Sequence, residues 1–125
     1  MNVPTDLKYT KNHEWVRAEG GIATIGITDH AQSELGDIVF IELPEVGDEF
    51  EKDTAIGTIE AVKTVADMNT PVSGEIIEVN GALEDSSELM NKDPYSDGWI
   101  AKLRMSDESE LDELLSAEEY KELIG

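Results

Sequence analysis

The stretch TAIGTIEAVKTVADMNTPVSGEIIEVN, residues 54–80, decides the fold that the sequence predicts. Residues 55–62 are rich in small and β-branched side chains, which is typical of a strand. Residues 64–69 are interpreted as the returning strand, which ends before Pro71 because proline cannot donate to a sheet ladder. A third strand begins at Gly74. The pattern therefore predicts a β-hairpin with Lys63 at or beside its bend.

Lys63 is the only basic residue between Lys52 and Lys92, and the sequence around it is acidic. An exposed lysine on a loop tip is most often a solubilising residue, since loop tips are polar. A surface salt bridge to Glu60 or Asp67 would contribute little. A sharper hypothesis is covalent attachment, because an acylating enzyme needs a protruding amine that rigid backbone holds on both sides. Position alone leaves both interpretations open.

The composition restricts the kinds of partner that the chain can bind. It has 125 residues, 29 of them acidic and 9 basic, and a formal net charge of −20. This length predicts a single domain over residues 1–125. The charge argues against nucleic acid and anionic membranes, since phosphate binding needs clustered Lys and Arg. It favours brief docking onto basic surfaces of other proteins.

Other chemistries are excluded by the residues that the sequence lacks. With no cysteine, disulfides, thiolate catalysis and cysteine-ligated metals are excluded. His13 and His30 are the only histidines and do not form a metal motif. No apolar run approaches a membrane span, and residues 1–15 resemble neither a signal nor a transit peptide. We therefore expect a cytoplasmic monomer of bacterial type, or a mitochondrial-matrix protein if the chain is a mature eukaryotic form.

The sequence before residue 54 predicts an extended lead-in, a hairpin, a short helix and a strand. Gly20 and Gly21 form the hairpin turn. Thr28 is a good N-cap for the helix, and Gly36 ends it. The last of these elements has apolar residues on both faces, which predicts a strand inside a sandwich or barrel. The four elements are residues 1–12, 13–17 with 22–27, 29–35 and 37–43.

The remaining sequence predicts a loop over 81–94, a last strand over 99–105 and a helical tail. In the tail, Ser106 caps a helix over 107–115, and Ser116 with Glu119 forms a capping box for a final helix that ends at residue 124. There is also a short internal repeat. The segment GDIVFI at 36–41 resembles GEIIEV at 74–79, 38 residues later, which suits a β fold with approximate two-fold symmetry.

Several long motifs, in the same order, resemble the lipoyl and biotinyl carrier group and, within it, the H proteins of glycine cleavage systems. The resemblance implies a mainly β fold, a flattened barrel-sandwich hybrid with a short internal helix and a helical tail over about 107–124. It covers nearly the whole chain. The motifs are KYTKNHEWVR (8–17), ATIGITDHAQSELGDIVFIELPEVG (23–47), IEAVKT (59–64), PVSGEIIEVN (71–80) and NKDPYSDGWIAKLR (91–104).

The resemblance also implies a function, that of a carrier which catalyses nothing itself. Lipoate would be joined through an amide to Lys63 by a lipoate-attaching enzyme. A pyridoxal-phosphate glycine decarboxylase would load the arm with an aminomethyl group and reduce its disulfide. A tetrahydrofolate-dependent aminomethyltransferase would unload it, and dihydrolipoyl dehydrogenase would reoxidise the dithiol. The protein can lack cysteine because the reactive sulfurs belong to the cofactor.

Further residues match family positions that support the arm. Glu60 and Gly74 match positions associated with placing the lysine and with its recognition by the lipoylating enzyme. The resemblance implies a cleft into which the loaded arm folds, and Glu14, His30 and Asp67 match positions near it. The chain departs from some relatives at two further positions. It has Ala61 where they carry Ser, and Glu34 where they carry His.

Four alternatives compete with this hypothesis. Biotin carriers usually place methionines beside the lysine, whereas this chain has Val62 and Thr64. Lipoyl domains of 2-oxo acid dehydrogenases typically have Asp immediately before the lysine and Pro/Ala-rich linkers. Some H-like proteins mainly relay lipoate to other enzymes, and sequence separates these poorly from true carriers. The plain alternative is an acidic structural or adaptor domain without a cofactor.

Overall fold

The computed structural model describes residues 2–125 and contains two antiparallel sheets with short helices around them. The strands are β1 (Lys8–Tyr9), β2 (Glu14–Glu19), β3 (Ile22–Ile27), β4 (Ile38–Glu42), β5 (Glu49–Phe50), β6 (Ala55–Ala61), β7 (Val65–Asn69), β8 (Gly74–Val79) and β9 (Ala101–Met105). The order β1-β2-β3-β9-β8-β5 forms a six-stranded sheet, and β4-β6-β7 forms a three-stranded sheet. This flattened, open barrel-sandwich confirms the predicted fold class.

The helices lie in the connections and at the C-terminal end. They are α1 (Asp29–Leu35), α2 (Ala82–Asp85), α3 (Leu89–Lys92), a 3₁₀ helix (Glu108–Glu113) and α4 (Ala117–Ile124). Within residues 2–125, no helix combines the length and apolar character needed to cross a membrane.

Two clusters of buried side chains hold these elements together. The larger lies between the sheets and takes residues from both, including Ile25, Ile59, Ile76 and Leu103. The smaller joins the first residues to α4, where the rings of Tyr9 and Tyr120 stack with centroids 4.7 Å apart. Burial of these apolar surfaces is the main force that fixes the hairpins and helices against one another.

Local signals predicted the first elements well. Gly20 and Gly21 adopt φ values of +55° and +81° in the turn between β2 and β3, as a tight hairpin requires. The Thr28 hydroxyl oxygen accepts a hydrogen bond from the Ala31 N–H at 3.1 Å and so caps α1. Gly36 ends that helix with φ +76°. The lead-in contains β1, and residue 1 of this prediction lies outside the described residues.

The two similar segments at 36–41 and 74–79 correspond to two irregular strands, β4 and β8, in different sheets. In β4 the pairing register shifts between Ile38 and Phe40, and in β8 it shifts between Ile76 and Glu78, 38 positions later. The extra residue in β4 turns both Val39 and Phe40 towards solvent. The strand lies in the sandwich, as predicted, with Ile38 and Ile41 buried in the core, while Val39 and Phe40 face solvent.

Two predictions in the last third of the chain were wrong. The loop expected over 81–94 contains α2 and α3, whose Leu83 and Met90 are buried and anchor the segment. The helix expected from Ser106 is a 3₁₀ helix capped one residue later, because the Asp107 carboxylate accepts the Ser109 N–H at 3.0 Å. The capping box of α4 at Ser116 is confirmed.

Candidate functional site

The hairpin of β6 and β7 presents Lys63 at its tip, as predicted. The Ala61 N–H donates to the Thr64 carbonyl at 2.8 Å, so Val62 and Lys63 form the bend, and both are exposed. The Val62 N–H donates to the Asp37 carbonyl at 3.0 Å, which ties the tip to the chain just before β4. The backbone on both sides of the lysine is therefore held by hydrogen bonds.

The Lys63 side chain extends over Gly36, the residue that ends α1. Its Cδ and Cε lie 3.7 Å, and its Nζ 3.9 Å, from the point where a Cβ on Gly36 would stand. Among the residues that the structure describes, Lys63 forms no salt bridge. Sequence reasoning assigned Gly36 only to the end of a helix, so its position beside the lysine stem was missed.

A cleft of about 190 Å³ lies beside this hairpin, between β3, α1 and the β6–β7 pair. Leu35, which precedes Gly36, lines it, and so does Ala66, three residues after Lys63. The cleft therefore begins close to the base of the lysine. Its lining is mainly apolar, with Ile25, Ile27, Ala31, Leu35, Ile56, Ile59, Met68 and Ile100, and carries a few polar residues, namely Asn12, His13, Glu14, Glu34, Asp67 and Asn69.

Glu14 is a buried carboxyl group in the wall of the cleft, only 6% exposed. Burial raises its pKa to about 7, although hydrogen bonds from the Thr10 hydroxyl and the Asn69 backbone N–H oppose the rise. The Thr10 hydroxyl donates to Oε1 at 2.8 Å. A carboxyl group with this pKa changes its charge close to neutral pH, inside an apolar cleft.

His30 does not line the cleft but contacts a residue that does. Its Nε2 lies 3.5 Å from Oε1 of Glu34, and Glu34 is part of the lining. Its ring also packs against His13, with centroids 4.6 Å apart. His13 lines the cleft, and its Nδ1 is 2.8 Å from the Tyr120 hydroxyl. Sequence reasoning missed His13 as a cleft residue, because the cleft forms only when the sheets and α1 come together.

Burial and the neighbouring His30 lower the pKa of His13, which favours its neutral ring. Nowhere in residues 2–125 do three or more His, Asp or Glu side chains gather in a way that could hold a metal ion. The polar side of the cleft is thus a set of hydrogen-bonding groups, with Tyr120 linking His13 to the Thr28 hydroxyl at 2.7 Å.

The structure separates the other predicted site residues. Glu60 lies on the outer, exposed face of the three-stranded sheet, and Asp67 is exposed at the rim of the cleft. Gly74 belongs to the other sheet, where a Cβ would lie 2.3 Å from the Arg104 carbonyl oxygen. Close packing of β8 on β9 is therefore sufficient reason for glycine at that position.

Comparisons with known proteins agree over almost the whole chain. Residues 7–125 match a family model described as Glycine cleavage H-protein. The chain is 57% identical over 125 residues to the Glycine cleavage system H protein of Staphylococcus haemolyticus, covering 100% of this chain and 99% of that protein. The corresponding protein of Staphylococcus carnosus is 55% identical with the same coverage. The fold is similar to the crystal structure of a glycine cleavage system H protein from Mycobacterium marinum, with a TM-score of 0.89, 39% identity and coverage of 98% and 99%.

Proposed function

The chain belongs to the glycine cleavage H-protein family, the lipoyl carriers of that system, and we propose from this premise that Lys63 bears the lipoyl group. The observation that carries the proposal is an exposed amine on a hydrogen-bonded hairpin tip whose strands line an apolar cleft. We further propose that the protein is a non-catalytic subunit whose chemistry resides in its covalent cofactor.

The residues present suit lipoate. An exposed primary amine can form an amide with its carboxyl group, and the apolar lining between Leu35 and Met68 matches its aliphatic chain. When bound, lipoate supplies the redox-active disulfide and the thiol that accepts the aminomethyl group. The chain contributes a rigid base for the arm, because hydrogen bonds fix the bend on both sides of Lys63.

We assign supporting roles to the side chains around the arm. Glu14 and Asp67, with His30 behind them, would provide the polar contacts of the cleft that shelters the loaded arm. Glu60, three residues before Lys63, would help to place the lysine for the attaching enzyme. The role predicted for Gly74 in recognition remains a proposal alongside its packing role.

The partners proposed are glycine decarboxylase, aminomethyltransferase, dihydrolipoyl dehydrogenase and a lipoate-attaching enzyme. A net charge of −20 supports repeated weak docking on basic surfaces, and the tether raises the local concentration of the arm at each docked enzyme. The absence of nucleic-acid and membrane partners, a monomeric state and a cytoplasmic location remain predictions.

The direct test is the mass of the protein isolated from a host supplied with lipoate and its attaching enzyme. We expect a lipoyl adduct on the peptide that contains Lys63. Lys63→Arg should abolish the adduct, whereas Lys52→Arg, a conservative change at a lysine outside the hairpin, should retain it. A bare amine at residue 63 under these conditions would contradict the proposal, and a biotin adduct would support a biotin carrier instead.

A second measurement separates glycine cleavage from the relay of lipoate. With a cognate decarboxylase, lipoylated protein should support exchange of bicarbonate into the carboxyl group of glycine. Fully lipoylated protein that supports no exchange would favour the relay function over glycine cleavage.

A further inference from the structure

Exposed apolar side chains gather at the tip that bears Lys63. Among residues 2–125, six large hydrophobic side chains are exposed, and four of them lie at this end of the three-stranded sheet. Isolated exposed apolar residues are ordinary, but several of them at one end of a sheet indicate a binding surface. We call these four the apolar tip patch, which consists of Val39, Phe40, Val62 and Val65, each between 50% and 71% exposed.

The register of the sheet brings these residues together. Phe40 in β4 pairs with Glu60 in β6, and Glu60 pairs with Val65 in β7, so the three side chains form a row on the outer face. The bulge in β4 adds Val39 on the exposed side. Val62 precedes Lys63 in the bend itself, so the patch reaches the lysine along the chain.

Acidic residues border the patch. Asp37 is exposed at the start of β4, and Glu60 stands within the patch. The next row along the sheet pairs Glu42 with Thr58 and Thr58 with Asp67, so both of its ends carry carboxylates. This face therefore offers apolar side chains around a central carboxylate, Glu60, with a further negative border, which complements an apolar surface that also carries Arg and Lys.

We propose that the apolar tip patch is the docking surface for the enzyme that acylates Lys63, through a surface on that enzyme that combines apolar side chains with basic residues. The inference rests on the proposed function and deepens it. In the acylation step, the Nζ–carbonyl carbon bond forms, and the bond from that carbon to the leaving group of an activated lipoyl donor breaks. The lysine ammonium releases two protons to become the amide N–H.

Among the proposed partners, the lipoate-attaching enzyme is the one that must contact the patch. Because the lysine nitrogen itself reacts, the donor carbonyl must come within bonding distance of Nζ. The enzyme surface must then cover the bend and contact the side chains around it, starting with Val62. Enzymes that act on the finished arm reach its far end, so contact with the patch is not required of them.

The test compares matched substitutions of exposed residues in the unmodified protein. Phe40→Ser and Val65→Thr remove apolar surface from the patch, and Val46→Thr is the control, since Val46 is equally exposed (62% against 61% for Val65) but follows the opposite end of β4. With a purified lipoate-attaching enzyme, we expect the patch variants to raise the KM for the protein about tenfold with little change in kcat. Val46→Thr should stay within about twofold of wild type.

Two further measurements make the outcome decisive. Reaction of Lys63 with a small N-hydroxysuccinimide ester should be equal in all variants, which shows that the amine itself is unaffected. Added salt should raise the KM of the wild type, and less so for Glu42→Gln, if the negative border meets basic residues. Patch variants with the same KM as Val46→Thr would overturn the inference. Wild type that the active enzyme does not acylate at residue 63 would instead overturn the proposed function.

Discussion

Glu14 is the residue whose chemistry departs most from that of an ordinary surface carboxylate. It is buried beside apolar side chains, and its pKa is raised to about 7 mainly by that burial. Lys63, by contrast, is exposed at the hairpin tip. The difference suits their proposed roles, because an attachment point must be reachable, whereas a cleft group must meet its ligand away from water.

The raised pKa of Glu14 predicts how stability depends on pH. Between the ordinary value of 4.5 and about 7, the folded state holds this proton more tightly than the unfolded state does. Its contribution to stability is therefore complete below 4.5 and is lost as pH rises through 7. Glu14→Gln keeps an acceptor for Thr10 but cannot ionise. We expect wild type to lose about 1–3 kcal/mol relative to this variant between about pH 5 and about pH 8.

Urea unfolding across this pH range checks the prediction. Glu60→Gln serves as the control, since it removes one negative charge from an exposed position and leaves the cleft unchanged. Unfolding free energies of wild type and Glu14→Gln that run parallel from acid to neutral pH would show that Glu14 ionises as an ordinary carboxyl group.

Elements with a local cause were predictable from the sequence. The Gly20–Gly21 turn, the Thr28 cap and the Ser116 capping box each depend on a few consecutive residues, and the structure contains all three. The hairpin around Lys63 belongs to the same group, because proline and β-branched residues define its strands. The position of the lysine therefore follows from local sequence signals, whereas the flattened barrel-sandwich was implied by the family resemblance.

Features that arise from packing between distant segments were not predictable in the same way. The bulge that exposes Val39 depends on pairing with β6, and the helices within 81–94 depend on burial of Leu83 and Met90. The cleft forms only when the sheets and α1 come together, which is why His13 was missed. No periodicity within one segment records such contacts.

The packing of β8 against β9 gives a prediction at this scale. A Cβ on Gly74 would lie 2.3 Å from the Arg104 carbonyl oxygen, and backbone in a paired strand cannot move aside cheaply. Gly74→Ala should therefore destabilise the unmodified protein by about 1–3 kcal/mol or more in thermal or urea unfolding. Gly81→Ala is the matched control, since its Cβ would meet nothing within 4 Å and its φ is −61°. We expect that change to stay within about 0.5 kcal/mol.

If Gly74→Ala unfolds like wild type, the packing explanation for this glycine fails. Its proposed role in recognition would then be the remaining reason for glycine. A stability loss measured without any partner enzyme, in contrast, requires no recognition to explain it.

The whole molecule is dominated by its negative charge. Its 29 acidic residues face 9 basic ones, and the five salt bridges within residues 2–125 engage only Lys52, Lys102, Arg104 and His30 on the basic side. Most carboxylates are thus left to repel one another across the surface. The resulting negative electrostatic potential favours encounters with basic partners, but the repulsion destabilises the folded state.

This balance predicts that salt stabilises the isolated protein. At about 20 mM NaCl, charges repel over much of the molecule, whereas at about 300 mM the screening length falls below about 10 Å and distant pairs no longer interact. We expect the free energy of unfolding in urea to rise by about 1 kcal/mol or more between these conditions at about pH 8, where Glu14 is also ionised. KCl should have the same effect as NaCl, because screening depends on ionic strength and not on the identity of the cation. A free energy of unfolding that falls as salt is added would mean that the few salt bridges outweigh the repulsion among unpaired carboxylates. The negative net charge would then not be a source of instability in this fold.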